Sequence, residues 1–183
     1  MSNATWQELL AVNSADGPTL TAAAAATCLP VTAKYTFPAN YFTIGKTLRI
    51  KATGRISCAV TTPGTARFDL RYGGSVFFDS LAMPLNIVAK TSVGWWLEAI
   101  LVCRAAGAST NFFGQGIWQS EAYIGSPAAT AGGNGCVMLP YNTAPAVGSN
   151  VDTTASGAFD CFFTQTVATG SMTVHNFLLE AIN

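Results

Sequence analysis

Leu48, Ile50, Ala52, Ile56, Cys58 and Val60 fall on one side of an extended chain, and Arg49, Lys51, Thr53, Arg55 and Ser57 fall on the other. A repeat of two residues is the period of a β-strand with one buried and one wet face. The alternation returns at Phe68, Leu70 and Tyr72. Turn residues separate these runs: Thr61-Thr62-Pro63-Gly64, then Gly73-Gly74, then Ala168-Thr169-Gly170-Ser171. Further strands are expected over residues 34–37, 76–78, 86–89, 95–104, 112–123, 159–167 and 172–182, with the last two forming a closing hairpin. Residues 124–150 read as a long loop interrupted by Val137-Met138-Leu139. About eight to ten strands over residues 21–183 predict one all-β domain, a jelly-roll β-sandwich.

Residues 1–20 read as an N-terminal arm. Thr5-Trp6-Gln7-Glu8 fits the Thr-x-x-Glu capping box, in which hydroxyl and carboxylate satisfy first-turn amides. Trp6, Leu9 and Leu10 then share one side at helical spacing, and Asp16-Gly17-Pro18 ends the segment. The expectation is a short helix. Two turns are marginal alone, so Trp6, Leu9 and Leu10 should bury their side chains against the domain itself, another subunit or a partner.

The chain has 183 residues, of which 50% are apolar and only 10% charged. An average domain carries about 25% charged residues. Nine Lys and Arg balance nine Asp and Glu. That excludes a disordered polar chain and argues against a strongly basic nucleic-acid binder. No apolar run approaches the ~20 residues of a membrane-spanning helix. Low charge and zero net balance favour association, and the expected partner is the chain itself, as a homotrimer. The apolar strands around residues 95–103 and 112–118 supply the candidate trimer contacts Trp95, Phe112, Phe113 and Trp118.

All nine cations lie between Lys34 and Arg104, where three anions oppose them, a net +6 for that stretch. A hairpin turning at residues 61–64 would place Arg49, Lys51, Arg55, Arg67 and Arg71 on one outward face. That face is either an ordinary solvated surface or a contact for an acidic patch on a partner. No aromatic residues interleave with its charges as base-stacking platforms would.

Catalytic signatures are sparse. His175 is the single histidine and is expected on the apolar face of the last strand. The carboxylates show no paired spacing. Asn150-Val151-Asp152 resembles a calcium-loop fragment, but loop hydrogen bonding accounts for it better. No metal, cofactor or enzyme activity is expected. Cys28, Cys58, Cys103, Cys136 and Cys161 form no Cys-x-x-Cys pair and read as buried thiols. Residues 1–6 carry no basic, apolar leader pattern. Together these point to assembly in a reducing cytoplasm.

Two stretches carry a resemblance. One runs Phe37-Pro38-Ala39-Asn40-Tyr41-Phe42, Ile44-Gly45-Lys46-Thr47-Leu48-Arg49-Ile50 and Thr53-Gly54-Arg55-Ile56-Ser57. The other runs Trp96-Leu97-Glu98-Ala99 into Cys103-Arg104-Ala105-Ala106-Gly107-Ala108. They resemble jelly-roll virion proteins of tailed bacteriophages, among them capsid decoration (cement) proteins that bind the outside of the head as trimers. The resemblance implies a structural protein on the capsid surface, assembled in the host bacterial cytoplasm, with the major capsid protein as partner and no membrane. Candidate contacts are then Trp6, Leu9, Leu10, Arg49, Lys51, Arg55, Arg67 and Arg71. The alternative is a tail or fibre component, or a glycan-binding module, for which Trp118, Tyr141 and Asn142 are the candidate side chains.

Overall fold

The computed structural model describes residues 6–59, 63–124 and 135–182. Those residues form two β-sheets in which every pairing is antiparallel. Numbered in chain order, the larger sheet runs β1 (Gln7–Val12), β13 (Ser171–Ile182), β4 (Thr47–Cys58), β8 (Lys90–Ala105), β9 (Thr110–Ser120) and β10 (Cys136–Leu139). Strand β11 (Val147–Val151) also pairs with β9. The smaller sheet runs β2 (Ala26–Thr27), β12 (Gly157–Gln165), β5 (Thr65–Tyr72) and β6 (Ser75–Asp79). Strand β3 (Thr36–Phe37) pairs with β12, and β7 (Met83–Pro84) with β5. Neither sheet closes into a barrel.

The expected jelly roll with a helical arm is therefore corrected to an all-β protein of two sheets, with no α-helix among the described residues. Among the described residues the one helical element is a 3-10 turn, Val31–Ala33. The segment read as a helix is strand β1, with Gln7, Glu8 and Leu9 opposite Ile182, Ala181 and Glu180. Thr5, the expected cap, lies outside the described residues. The reason is tertiary. Strand β13 offers a free edge of backbone donors and acceptors, and six residues gain more by filling it than by a marginal helix.

One core lies between the sheets. Phe68 of β5 packs against Trp95 of β8, Trp118 of β9 and Phe163 of β12, with ring centroids 5.2–6.0 Å apart. At the other end Phe37 meets Tyr35, Tyr41, Phe42, Tyr72 and Phe159. Phe77 reaches Phe112 and Phe159 reaches Phe177, so β6 is joined to β9 and β12 to β13. Such offset and edge-on pairs add to what area burial alone contributes.

Two expected hairpins are corrected. Strand β4 pairs with β13 and β8, whereas β5 pairs with β12, β6 and β7, so the chain changes sheets between residues 58 and 65. It changes sheets again between β12 and β13. The Gly73-Gly74 turn does close a hairpin, β5–β6, with both glycines at positive φ.

All five cysteines are free of disulfides, four of them buried and Cys136 half-buried. Burial pushes the Cys58 and Cys103 thiols up, and the adjacent Cys28 thiol together with burial pushes Cys161 well up. Because the thiolate is the reactive form, a thiol reagent at pH 8 should label Cys136 at most in the folded protein and all five thiols after denaturation. Rapid native labelling of two or more would contradict this packing.

Candidate interaction face

Strand β8 shows why the larger sheet has an unusual outer face. Its sequence is apolar on both sides, which is the signature of a strand covered on both faces. Trp95, Leu97, Ala99, Leu101 and Cys103 point into the core and are buried. The other phase holds Trp96 and Ile100, exposed, with Glu98 and Val102, half-buried, and among the described residues no further layer lies over it.

The register across the sheet places these side chains in rows. One row reads Gln7, Ile182, Thr47, Val102, Phe113 and Val147, and the next Leu9, Glu180, Arg49, Ile100 and Gln115. A third reads Val12, Leu178, Lys51, Glu98, Ile117 and Met138, and a fourth Asn176, Thr53, Trp96, Gln119 and Cys136. Ile100 is 45% exposed, Trp96 42% and Met138 57%. Glu98, Ile100, Val102, Phe113, Ile117 and Met138 line a shallow trough of about 530 Å³.

A charged strip crosses the middle of this face, with Arg55 and Arg104 beyond it. Arg49 donates from Nε to Glu98 Oε1 at 2.8 Å, with its Nη2 2.7 Å from the same oxygen. Lys51 stands opposite Glu98 in the ladder but forms no ion pair among the described residues. Glu180 lies opposite Arg49, and its buried Oε2 has no hydrogen-bond partner among the described residues. At the edge of the trough, the Arg104 guanidinium stacks over Phe113, 4.2 Å from the ring centroid.

The smaller sheet differs. Lys34 pairs with Asp160 at 2.6 Å, Arg71 with Asp69, and Arg67 with Asp79. The Thr27 hydroxyl donates to Asp160 Oδ1 at 2.6 Å, and Arg71 lies 3.7 Å over the Phe162 ring. Each cation there already has its anion. The single basic face expected from Arg49, Lys51, Arg55, Arg67 and Arg71 is corrected accordingly. Arg49, Lys51 and Arg55 belong to β4 and Arg67 and Arg71 to β5, so they stand on different sheets.

The other expected contacts divide by phase. Trp95, Phe112 and Trp118 point into the core and are 4%, 1% and 0% exposed, so their side chains are not offered to a neighbour. Phe113 is on the outer face. Leu9 also points outward, while Leu10 packs against the core. Trp6 is half exposed, and Lys46 Nζ lies between its ring and that of Tyr41, 5.6 and 4.1 Å from the two centroids. Trp96, Ile100 and Ile117 lie within the expected contact strands without being singled out, and Met138 lies outside them. The available signal is the apolar run of β8 over residues 95–103, broken only by Glu98, which calls for cover on both sides.

His175 is not a core imidazole. A bulge between Val174 and Asn176 turns it outward, and its Nδ1 lies 2.8 Å from Asp16 Oδ1. Asp152 accepts from the Thr154 amide at 2.9 Å and its hydroxyl at 2.6 Å, bonds that hold its carboxyl below the usual range. Asp69 and Asp79 face each other across β5–β6, each locked to its own arginine. Among the described residues no three His, Cys, Asp or Glu side chains are grouped to hold a metal ion. Of the glycan candidates, Trp118 is in the core, Tyr141 packs edge-on against Tyr123 and Asn142 is exposed at φ +51°. Comparison with protein-family models, curated proteins and solved structures returns no match.

Proposed function

We propose that this chain is a structural contact protein of a virion: a decoration protein that binds the outside of a tailed-phage head as a homotrimer and braces neighbouring major capsid subunits. The observation that supports this reading is the outer face of the larger sheet, which no described residue covers, with an apolar trough flanking a short charged strip. A free domain of this size keeps such side chains scattered, and a contiguous patch marks a contact site. The strand-and-turn resemblance to phage virion proteins supplies the setting. A protein that binds the assembled shell and not its separated subunits stabilises the shell by mass action, by about 2.7 kcal/mol per site when present at a hundred times its dissociation constant.

Gold-labelled antibody against the purified protein is the direct test. Label over the heads of phage particles is the expected result. Label confined to tails or fibres, or particles free of label, would overturn the decoration reading. In the first case the exposed indole of Trp96, beside Gly94 and Gln119 on a shallow shelf of about 320 Å³, becomes the starting point for a receptor-binding role.

A further inference from the structure

We infer that the outer face of the larger sheet is where one copy of this chain packs against another, with the trough of Ile100, Val102, Phe113, Ile117 and Met138 at the centre of the contact. The inference builds on the contact-protein reading and assigns that face an occupant: a second copy, not the capsid.

Three observations select a copy of the chain. The first is shape. The face is broad and shallow, with a second apolar group, Leu9, Val12, Leu178 and Ile182, on the far side of the charged strip. A peptide groove would be narrower and would not carry apolar side chains on both flanks. The second is charge. The strip holds Arg49 and Lys51 with Glu98 and Glu180, two of each sign. A rotated copy therefore presents opposite charge to each group, including Lys51, which finds no ion pair in its own chain among the described residues. Arg55 and Arg104 lie on the same face beyond the strip. The third is area. Five strands from β13 to β10, crossed by four rows of side chains, give the face roughly 650 Å² before side-chain relief is counted. A stable interface takes about 600–1,000 Å² from each partner, and the face lies within that range.

Sedimentation equilibrium on the purified chain, with Ile100→Glu and Met138→Glu beside it, tests the assignment. Val31→Glu, at a residue 84% exposed on the 3-10 turn, is the control. Each variant is checked by a thermal melt. The native chain and the control should run as one discrete oligomer. Either glutamate in the trough should weaken self-association at least about 30-fold, since an interface centre holds most of the binding energy. Met138 lies on the edge strand β10, so its variant remains informative if Ile100→Glu fails to fold. A native chain that is monomeric at tens of micromolar, or polydisperse, overturns the inference. So does a discrete oligomer that both glutamates leave intact, which would put the trough against another protein. Virion labelling is independent: a monomer found on heads refutes the self-contact alone, and a discrete oligomer absent from particles refutes the decoration role alone.

Discussion

Trp118→Ala should lower the unfolding free energy by about 3–5 kcal/mol, the range for deleting a fully buried large aromatic side chain. A domain is stable by only about 5–15 kcal/mol, so the variant should be unfolded well below the melting temperature of the native chain. Trp118 is wholly buried. Its ring lies 6.0 Å from Phe68 and 6.1 Å from Tyr123, and its ladder partners are Leu97 and Val137. Its Nε1 has no hydrogen-bond partner among the described residues, so the loss is one of packing. The measurement is urea unfolding in the Ile100→Glu background, where self-association does not contribute. A loss below about 1 kcal/mol would mean that this indole does not sit in the core.

Strand existence was legible in the sequence because a one-sided strand writes a period of two. Strand pairing was not. The alternation of β4 and of β5 states which side chains face inward, and both sheets face the same core. A turn such as Thr61-Thr62-Pro63-Gly64 is therefore compatible with a hairpin or with a crossing from one sheet to the other. The same ambiguity hid the crossing between β12 and β13. The Gly73-Gly74 turn was unambiguous because two glycines at positive φ favour a tight reversal within one sheet. Strand β1 is ambiguous in the sequence for a different reason. Trp6, Leu9 and Leu10 satisfy helical spacing, but Leu9 and Leu10 also sit on opposite sides of a strand, and only the free edge of β13 decides between the two.

The interaction face was half legible. Low charge and the apolar run of β8 pointed to strands 95–103 and 112–118 as contacts, and the trough does lie on β8 and β9. Which phase faces outward depends on a register of one residue. Trp95 and Trp96 are chemically alike, as are Phe112 and Phe113, so composition could not say that Trp96 and Phe113 are the outer pair. The division of cations between two sheets was beyond reach for the same reason as the hairpins.

Gly54→Ala should cost about 3 kcal/mol, near the upper end for overpacking. A methyl group on Gly54 would sit 1.9 Å from the Thr173 carbonyl oxygen and 2.9 Å from Trp95 Cζ2. The nearer obstacle is backbone, which cannot rotate away. In the sequence Gly54 suggests a bulge in β4. The bulge is in its partner, between Val174 and Asn176, and Gly54 is the residue that lets β13 come close enough to make it. The freed backbone groups are satisfied locally. Asn13 Nδ2 donates to the His175 carbonyl at 2.9 Å, the Phe177 amide donates to Asn13 Oδ1 at 2.6 Å, and the Gly17 amide donates to the Val174 carbonyl at 2.8 Å. An alanine at 54 should push β13 away, loosen the Asn13 clamp and separate His175 from Asp16. Urea unfolding should show the loss, and the His175 imidazole resonances should shift toward those of an unpaired side chain. A Gly54→Ala protein within about 0.5 kcal/mol of the native chain, with those resonances unmoved, would mean that the bulge does not depend on this close approach.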